Sequence, residues 1–373
     1  LLPRRYHHGH FGPGGSPCPG IECKDTEVSM KALVMTEYKK LECMDVPKPQ
    51  IKSPTEVLVR IKAAAICGSD VHGFDGSTLR RQPPIIMGHE ASGVIEEVGS
   101  LVKNFAKGDR VTFDSTIWCG ICPFCQQGKV NLCNNRKVMG VSCDEYKQDG
   151  IFAEYAIIEE RILYKLPQGL DFIQAAMAEP AGVAAHAISL APPLLGEDVA
   201  VVGTGLIGLL ILKLLRPVTS GLIIALETDE ARREKALSCG ADFAFDPRDP
   251  NLVKKVAEIT GGDMLDKVYE AVGASSPINT ALDLVKKGGT VILVGNVSPK
   301  VELPLQKIVT RQIRLQGSCA ISGEYPAVLK LMASGKLVVD DLISRTAPLS
   351  EGQLWFDKLY NREDNLLKVV LLP

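Results

Sequence analysis

The sequence predicts an α/β protein in two parts, one β-rich and one a doubly wound parallel sheet. Three observations predict it. Short apolar or alternating segments, separated by Gly, Pro and Asp turns, run from Lys31 to about Ile158 without long helical periodicity. Beyond Pro180, six strand candidates alternate with helical stretches, the pattern of a parallel sheet wrapped by helices. Between the first of these strands and its helix lies Gly203-Thr-Gly205-Leu-Ile-Gly208.

In the β-rich part the predicted strands include Leu33–Val34, Val57–Ile61, Ser92–Val98, Arg110–Phe113 and Ala153–Ile158. In the second part they are Val199–Val202, Leu222–Leu226, Phe243–Phe245, Lys267–Val272, Thr290–Val294 and Ile313–Leu315, with helices such as Glu230–Ser238 and Leu252–Ile259 between them. Pro217 should end or kink the first crossover helix. After Gly317 one more helix, Tyr325–Ala333, precedes short extended pieces, of which Val369–Leu372 would fit the β-rich part. The expected division is 30–182 with 320–373 returning to it, and 183–319 inserted as the nucleotide part.

The 373 residues suffice for two domains, and 46% hydrophobic with 23% charged residues predicts a sizeable core. A net charge of −2 gives no electrostatic case for nucleic acid or a membrane as partner, and no apolar run reaches the ~18 residues of a membrane span. Of eleven cysteines, four lie between Cys119 and Cys133. An odd, clustered count argues for metal ligation in a reducing compartment, so a cytoplasmic location is expected. Residues 1–29 are rich in Gly, Pro and His and lack an apolar signal core. They read as a disordered leader, with His7, His8 and His10 in a solvated tail and Met30 as the functional start.

The glycine loop follows Val199–Val202 directly. Gly203 makes the tight turn, Gly205 lets a pyrophosphate approach the backbone, and Gly208 allows close helix–strand packing. Leu206 and Ile207 open the helix, whose N-terminal N–H groups face the phosphates. Glu227 ends the second strand, 24 residues after Gly203. A carboxylate there accepts from ribose hydroxyls and repels a 2′-phosphate, which predicts NAD. Arg232 lies a helical turn further on, beside Arg233. With Val272 and Val294 at the ends of two later strands, Arg232 completes the cofactor set read here.

Cys119-x2-Cys122-x2-Cys125-x7-Cys133 lies in a loop with Gly120, Pro123 and Gly128. Four thiolates can close a tetrahedral zinc site with no position left for substrate, so a structural role is expected. An iron–sulfur cluster is the chemical rival. A second set is more mixed: Cys67 within Cys67-Gly-Ser69-Asp70-Val-His72, His89-Glu90 after Gly88, and Glu179 before Pro180. These S, N and O donors suit a catalytic zinc with an open position.

Taken in this order, the motifs resemble the zinc-containing branch of the medium-chain dehydrogenase/reductase superfamily, in its sorbitol, xylitol and threonine dehydrogenase-like group. The resemblance runs from Met30 to Pro373. It implies a GroES-like β-barrel catalytic domain joined to a Rossmann domain, two zincs per chain, NAD, an alcohol or polyol substrate, and a homo-oligomer, dimer or tetramer. By resemblance Cys67 and His89 are zinc ligands, and Glu179 replaces the second cysteine of classical alcohol dehydrogenases. Glu90 ligates directly or alternates with water. Ser69 and His72 form a proton relay, Asp70 stands behind the ligands, and Lys368 meets the pyrophosphate. Ala320-Ile321 stands where sorbitol dehydrogenases carry Arg-Tyr. The other readings are a threonine or sugar-phosphate dehydrogenase, a non-catalytic zinc- and NAD-binding protein, and a zinc-ribbon nucleic-acid binder. The relay residues argue against the second and the net charge against the third.

Overall fold

The computed structural model describes residues 28–373, so all but the end of the expected leader lies outside the described residues. The first strand, Ser29–Glu37, starts one residue before Met30.

Val199–Val202 is apolar and buried at every position, as a strand covered on both faces must be. It is the third strand of a six-stranded parallel sheet. The order is Phe243–Phe245, Ile223–Leu226, Val199–Val202, Leu265–Glu270, Val285–Leu293 and Arg314–Gly317. The chain winds outward in both directions from Val199–Val202, which leaves a crevice at its carboxyl end. The glycine turn sits at that end. Gly203 has φ +87°, and a Cβ on Gly208 would lie 1.9 Å from the Gly203 carbonyl oxygen. The following helix, Leu206–Leu215, stops two residues short of Pro217, whose ring disfavours helix at the residue before it.

One predicted strand is displaced. Lys267–Val272 is read from apolar periodicity, but the strand is Leu265–Glu270. The Glu270 carboxylate accepts from Val272 N and Gly273 N, both at 2.8 Å, and turns the chain out of the sheet. Val272 then packs its side chain over Gly203.

The β-rich part is built on a seven-stranded sheet. Glu56–Ala65 is its hub, pairing with Glu90–Val98, Tyr155–Glu159 and Val369–Leu372. Its core gathers Val57, Val59, Ile61, Phe113, Phe152 and Phe356.

Two helices join the parts. Ala178–Leu190 begins beside the mixed donor set and packs with Leu206–Leu215 in one apolar cluster. It runs through the expected boundary at 182/183. Pro180 lies in its first turn, where a missing N–H costs nothing. Tyr325–Ala333 buries Tyr325, Val328, Leu329 and Met332 in the same cluster. The Tyr325 hydroxyl also donates to the Phe113 carbonyl of the β-rich sheet and its ring stacks on Tyr164, and strand pairing with that sheet resumes at Arg345–Pro348, parallel to Val369–Leu372. No helix among the described residues is long and apolar enough to cross a membrane.

Candidate active site

Strand register brings the mixed set together. Ala65 ends the hub strand opposite Glu90, so Cys67, two residues on, comes beside His89-Glu90. Gly88, at φ +92°, turns the chain into the Glu90 strand. Cys67 caps the short helix Gly68–Gly73, its Sγ accepting from Ser69 N at 3.4 Å. The ligand atoms of Cys67, His89 and Glu90 all lie within 4.8 Å of one another. Among the described residues, Glu90 Oε1 is buried without a hydrogen-bond partner. A thiol, an imidazole and an orphaned carboxylate oxygen converging in a buried place fit a zinc ion with room for another ligand.

Glu179 stands outside that trio. It is buried, and its Oε1 accepts from Ser115 Oγ at 3.1 Å. Burial raises its carboxyl to about 7, with the His89 charge opposing and Glu90 adding to the rise. It is thus anchored to the Ser115 wall.

Ser69 Oγ is 3.3 Å from Cys67 Sγ and 3.5 Å from His89 Nε2. His72 is exposed one turn along the same short helix. Its ring makes no hydrogen bond among the described residues; its carbonyl accepts from Ser77 Oγ. Asp70 is fully buried, with Oδ1 3.4 Å from His89 Nδ1. Burial would raise the Asp70 carboxyl, but His89 and the Arg81 guanidinium outweigh it and hold it at about 2.

The four lobe cysteines also converge within 4.8 Å. Cys119 and Cys125 Sγ are 4.0 Å apart, Cys122 and Cys125 Sγ 3.5 Å. Four sulfurs about 2.3 Å from one tetrahedral ion stand about 3.8 Å apart, so the lobe fits a single zinc. N–H groups of Ile121 and Cys122 bring the Cys119 thiol down to about 6. Cys125 moves up to about 12, through desolvation and then its sulfur neighbours.

At the crevice, Glu227 Oε2 accepts from Thr204 N at 2.9 Å, and Oε1 from Thr228 N at 2.7 Å and Asp229 N at 3.1 Å. Burial opposes its ionisation, and these N–H groups reverse the effect. Glu227 thereby fixes the glycine loop to the second strand. The Arg232 side chain has no hydrogen-bond partner among the described residues, whereas Arg233 Nη1 donates to the Glu227 and Thr228 carbonyls. Val294 N donates to Glu270 O at 2.8 Å, continuing the sheet toward the crevice.

Residues 53–168 match the alcohol dehydrogenase GroES-like domain and residues 206–334 the zinc-binding dehydrogenase domain. D-arabitol-phosphate dehydrogenase of Enterococcus avium is 34% identical over 90% of this chain and 94% of its own. The chain belongs to the zinc-dependent medium-chain dehydrogenases. Sorbitol dehydrogenase of Halalkalibacterium halodurans is 34% identical over 92% of this chain and 99% of its own. The solved structure of a zinc-binding dehydrogenase from Sinorhizobium meliloti 1021 bound to NADP superposes with a TM-score of 0.84. It is 32% identical, covering 93% of this chain and 100% of that one. This dehydrogenase is thus an oxidoreductase of the polyol dehydrogenase-like branch, served by zinc and a nicotinamide nucleotide.

One expected cofactor residue of the dehydrogenase lies against Glu90. Lys368, assigned to the pyrophosphate, is fully buried, with Nζ 2.5 Å from Glu90 Oε2 and 2.8 Å from Ile66 O. It lies just before the Val369–Leu372 strand, which pairs with the hub strand beside Cys67, and a buried ammonium needs an anion more than an open cleft. Sequence spacing reads neither Arg81 nor Ser115, since both reach the site from loops with no pattern of their own.

Asp114, next to Ser115, is buried with Oδ1 accepting from Thr116 N at 2.8 Å. Burial raises its carboxyl from 3.8 to about 6. The folded dehydrogenase binds this proton more tightly than the unfolded chain, so stability falls as pH rises between those values and stays lower above about 6. Asp114→Asn keeps the acceptor without the charge. It should stabilise by roughly 3 kcal/mol at about pH 8 and by little at about pH 4. Thermal melts of both proteins at the two pH values check this; an equal shift at both would overturn it.

Proposed function

We propose that this dehydrogenase oxidises a secondary hydroxyl of a polyol with NAD, at the zinc held by Cys67 and His89 with a carboxylate from Glu90 or Glu179. The observation that carries the reading is the contrast between the two donor sets. Four cysteines close one site, whereas the mixed set stays open beside a hydroxyl, Ser69. Zinc there would polarise a hydroxyl or carbonyl oxygen, and the nicotinamide would exchange hydride. Ser69 Oγ would take the substrate proton and exposed His72, three residues on, would return it to solvent, with the ribose of a bound nicotinamide bridging the two. The helix carrying Glu179 packs along the helix that leaves the glycine loop, which sets the two halves of the reaction against each other.

NAD is favoured because Glu227, its ionised form favoured by its N–H partners, ends the second strand at the spacing where a carboxylate would repel a 2′-phosphate. NADH should bind at least about tenfold tighter than NADPH, and Glu227→Gln should narrow the gap. Fluorescence titration measures both; equal affinities in the parent would turn the assignment toward NADP through Arg232.

A polyol phosphate is the second reading. Ala320 is left-handed at φ +51° and Ile321 is buried against Gly182, so neither offers the polar groups of a sorbitol-type pocket. Arg136, partly exposed, brings Nη1 within 3.0 Å of Cys319 Sγ and has no carboxylate partner among the described residues. Nicotinamide absorbance with polyols, polyol phosphates and threonine separates these substrates. A homo-oligomer in a reducing compartment such as the cytoplasm completes the proposal, resting on the family likeness and the four closely set thiols.

A further inference from the structure

Arg81 is a buried cation that none of the roles above uses. It is 5% exposed, and it comes from the loop between the Gly68–Gly73 helix and the Ile85–Ile86 strand. Its stem lies over Gly73, where a Cβ would come within 2.4 Å of Arg81 Cγ. The close approach requires glycine there and fixes the guanidinium. Nη1 donates to the Arg80 carbonyl at 3.1 Å.

The other two nitrogens point at the zinc ligands' supports. Nε is 3.1 Å and Nη2 3.0 Å from Asp70 Oδ1. That same oxygen lies in contact with His89 Nδ1 at 3.4 Å, while among the described residues Asp70 Oδ2 is buried without a hydrogen-bond partner. Nη2 also reaches Ser69 Oγ at 3.4 Å. One planar fork thus touches the carboxylate beside the His89 ring and the hydroxyl beside Cys67. A lysine ammonium keeps the charge but cannot span both with fixed geometry.

We propose that Arg81 is a positioning residue for this centre, holding the Asp70 carboxylate against His89 and the Ser69 hydroxyl toward the substrate. Its two effects are separable. Through Asp70 it sets the orientation of a metal-binding imidazole, and such outer partners govern metal affinity by about ten- to a hundredfold. Through Ser69 it sets the proton-accepting hydroxyl, which bears on kcat rather than on KM. The proposal rests on zinc binding at Cys67 and His89.

The test compares the parent, Arg81→Lys and Arg81→Met as zinc-loaded full chains, with NADH binding and thermal melting as folding controls. Zinc affinity is read by competition with a chromophoric chelator, and kcat and KM with the best substrate of the panel above. Arg81→Met should bind the mixed-site zinc about ten- to a hundredfold more weakly and lose kcat by at least tenfold, with KM within about threefold. Arg81→Lys, keeping the charge against Asp70, should recover most of the zinc affinity and little of kcat. Arg81→Met/Asp70→Asn removes the buried charge left unpaired. It should melt nearer the parent than Arg81→Met while kcat stays low. Zinc affinity and kcat of Arg81→Met within twofold of the parent would overturn the proposal, as would losses in kcat that return with melting temperature in the double variant. A parent that binds only the four-cysteine zinc would instead overturn the zinc reading beneath it.

Discussion

Cys67→Ser should abolish turnover, by about a thousandfold or more, while NADH binds within about twofold of the parent. The exchange is small in volume and keeps the local fold. Cys67 caps its helix through a side-chain acceptor for Ser69 N, and a serine hydroxyl is at least as good a cap. What changes is the donor. A serine hydroxyl stays protonated near neutral pH and its oxygen is reached by a shorter bond, so the trio with His89 and Glu90 loses its anionic sulfur. Zinc content should fall by about one per chain, leaving the four-cysteine zinc in place. The nucleotide crevice is untouched, since Gly203, Glu227 and Val272 belong to the other sheet. Turnover retained in this variant would sink the assignment of the mixed site as the reaction centre.

The sequence carried the elements whose signal is local. The strand Val199–Val202, its glycine turn and the helix after it stand next to one another in the chain. The helices Glu230–Ser238, Leu252–Ile259 and Tyr325–Ala333 show their bounds in their apolar spacing. The four lobe cysteines lie within one loop. Partnerships across the fold were less legible. A lysine immediately before a strand reads as a free cation; only the pairing of Val369–Leu372 with Glu56–Ala65 shows that Lys368 lands on Glu90. Arg81 and Ser115 have no periodicity to betray them, because a loop residue acquires its neighbours from the strands around it. The Leu265–Glu270 strand ends early because a side chain, the Glu270 carboxylate, takes the N–H groups that a longer ladder would use. The apolar face of Tyr325–Ala333 fits either part by pattern, and the structure sets it against both, on Ala178–Leu190 and, through Tyr325, on Tyr164 and the Phe113 carbonyl.

Cys133→Ala should remove the second zinc and loosen the lobe, with consequences beyond it. Cys133 Sγ accepts from Cys119 N at 3.2 Å and Asn135 N at 3.3 Å, so it organises both ends of the loop even before a metal is considered. Ile121, Phe124 and Leu132 are exposed, and the loop has little apolar burial to hold it otherwise. Structural zinc binding supplies about 10–16 kcal/mol in isolated fingers; in this larger framework a loss of several kcal/mol in local stability is expected. The lobe also spans the two parts of the chain. Asn131 Nδ2 donates to Cys319 O at 2.8 Å and meets His186 Nε2 at 3.3 Å, while His186 Nδ1 is 2.8 Å from Glu324. Arg136 joins Asn131 O to Cys319 Sγ. These bonds fasten the lobe to the Ala178–Leu190 helix, which also carries Glu179, and to the segment leaving the parallel sheet. Cys133→Ala should therefore open trypsin cleavage at Lys129, Arg136 and Lys137 and lower kcat several-fold at an unchanged mixed-site zinc content. A parent-like digest with zinc content unchanged would show that these thiols hold no metal. A digest confined to the lobe with kcat intact would show that its bonds to Cys319 and His186 do not steady the active-site helix.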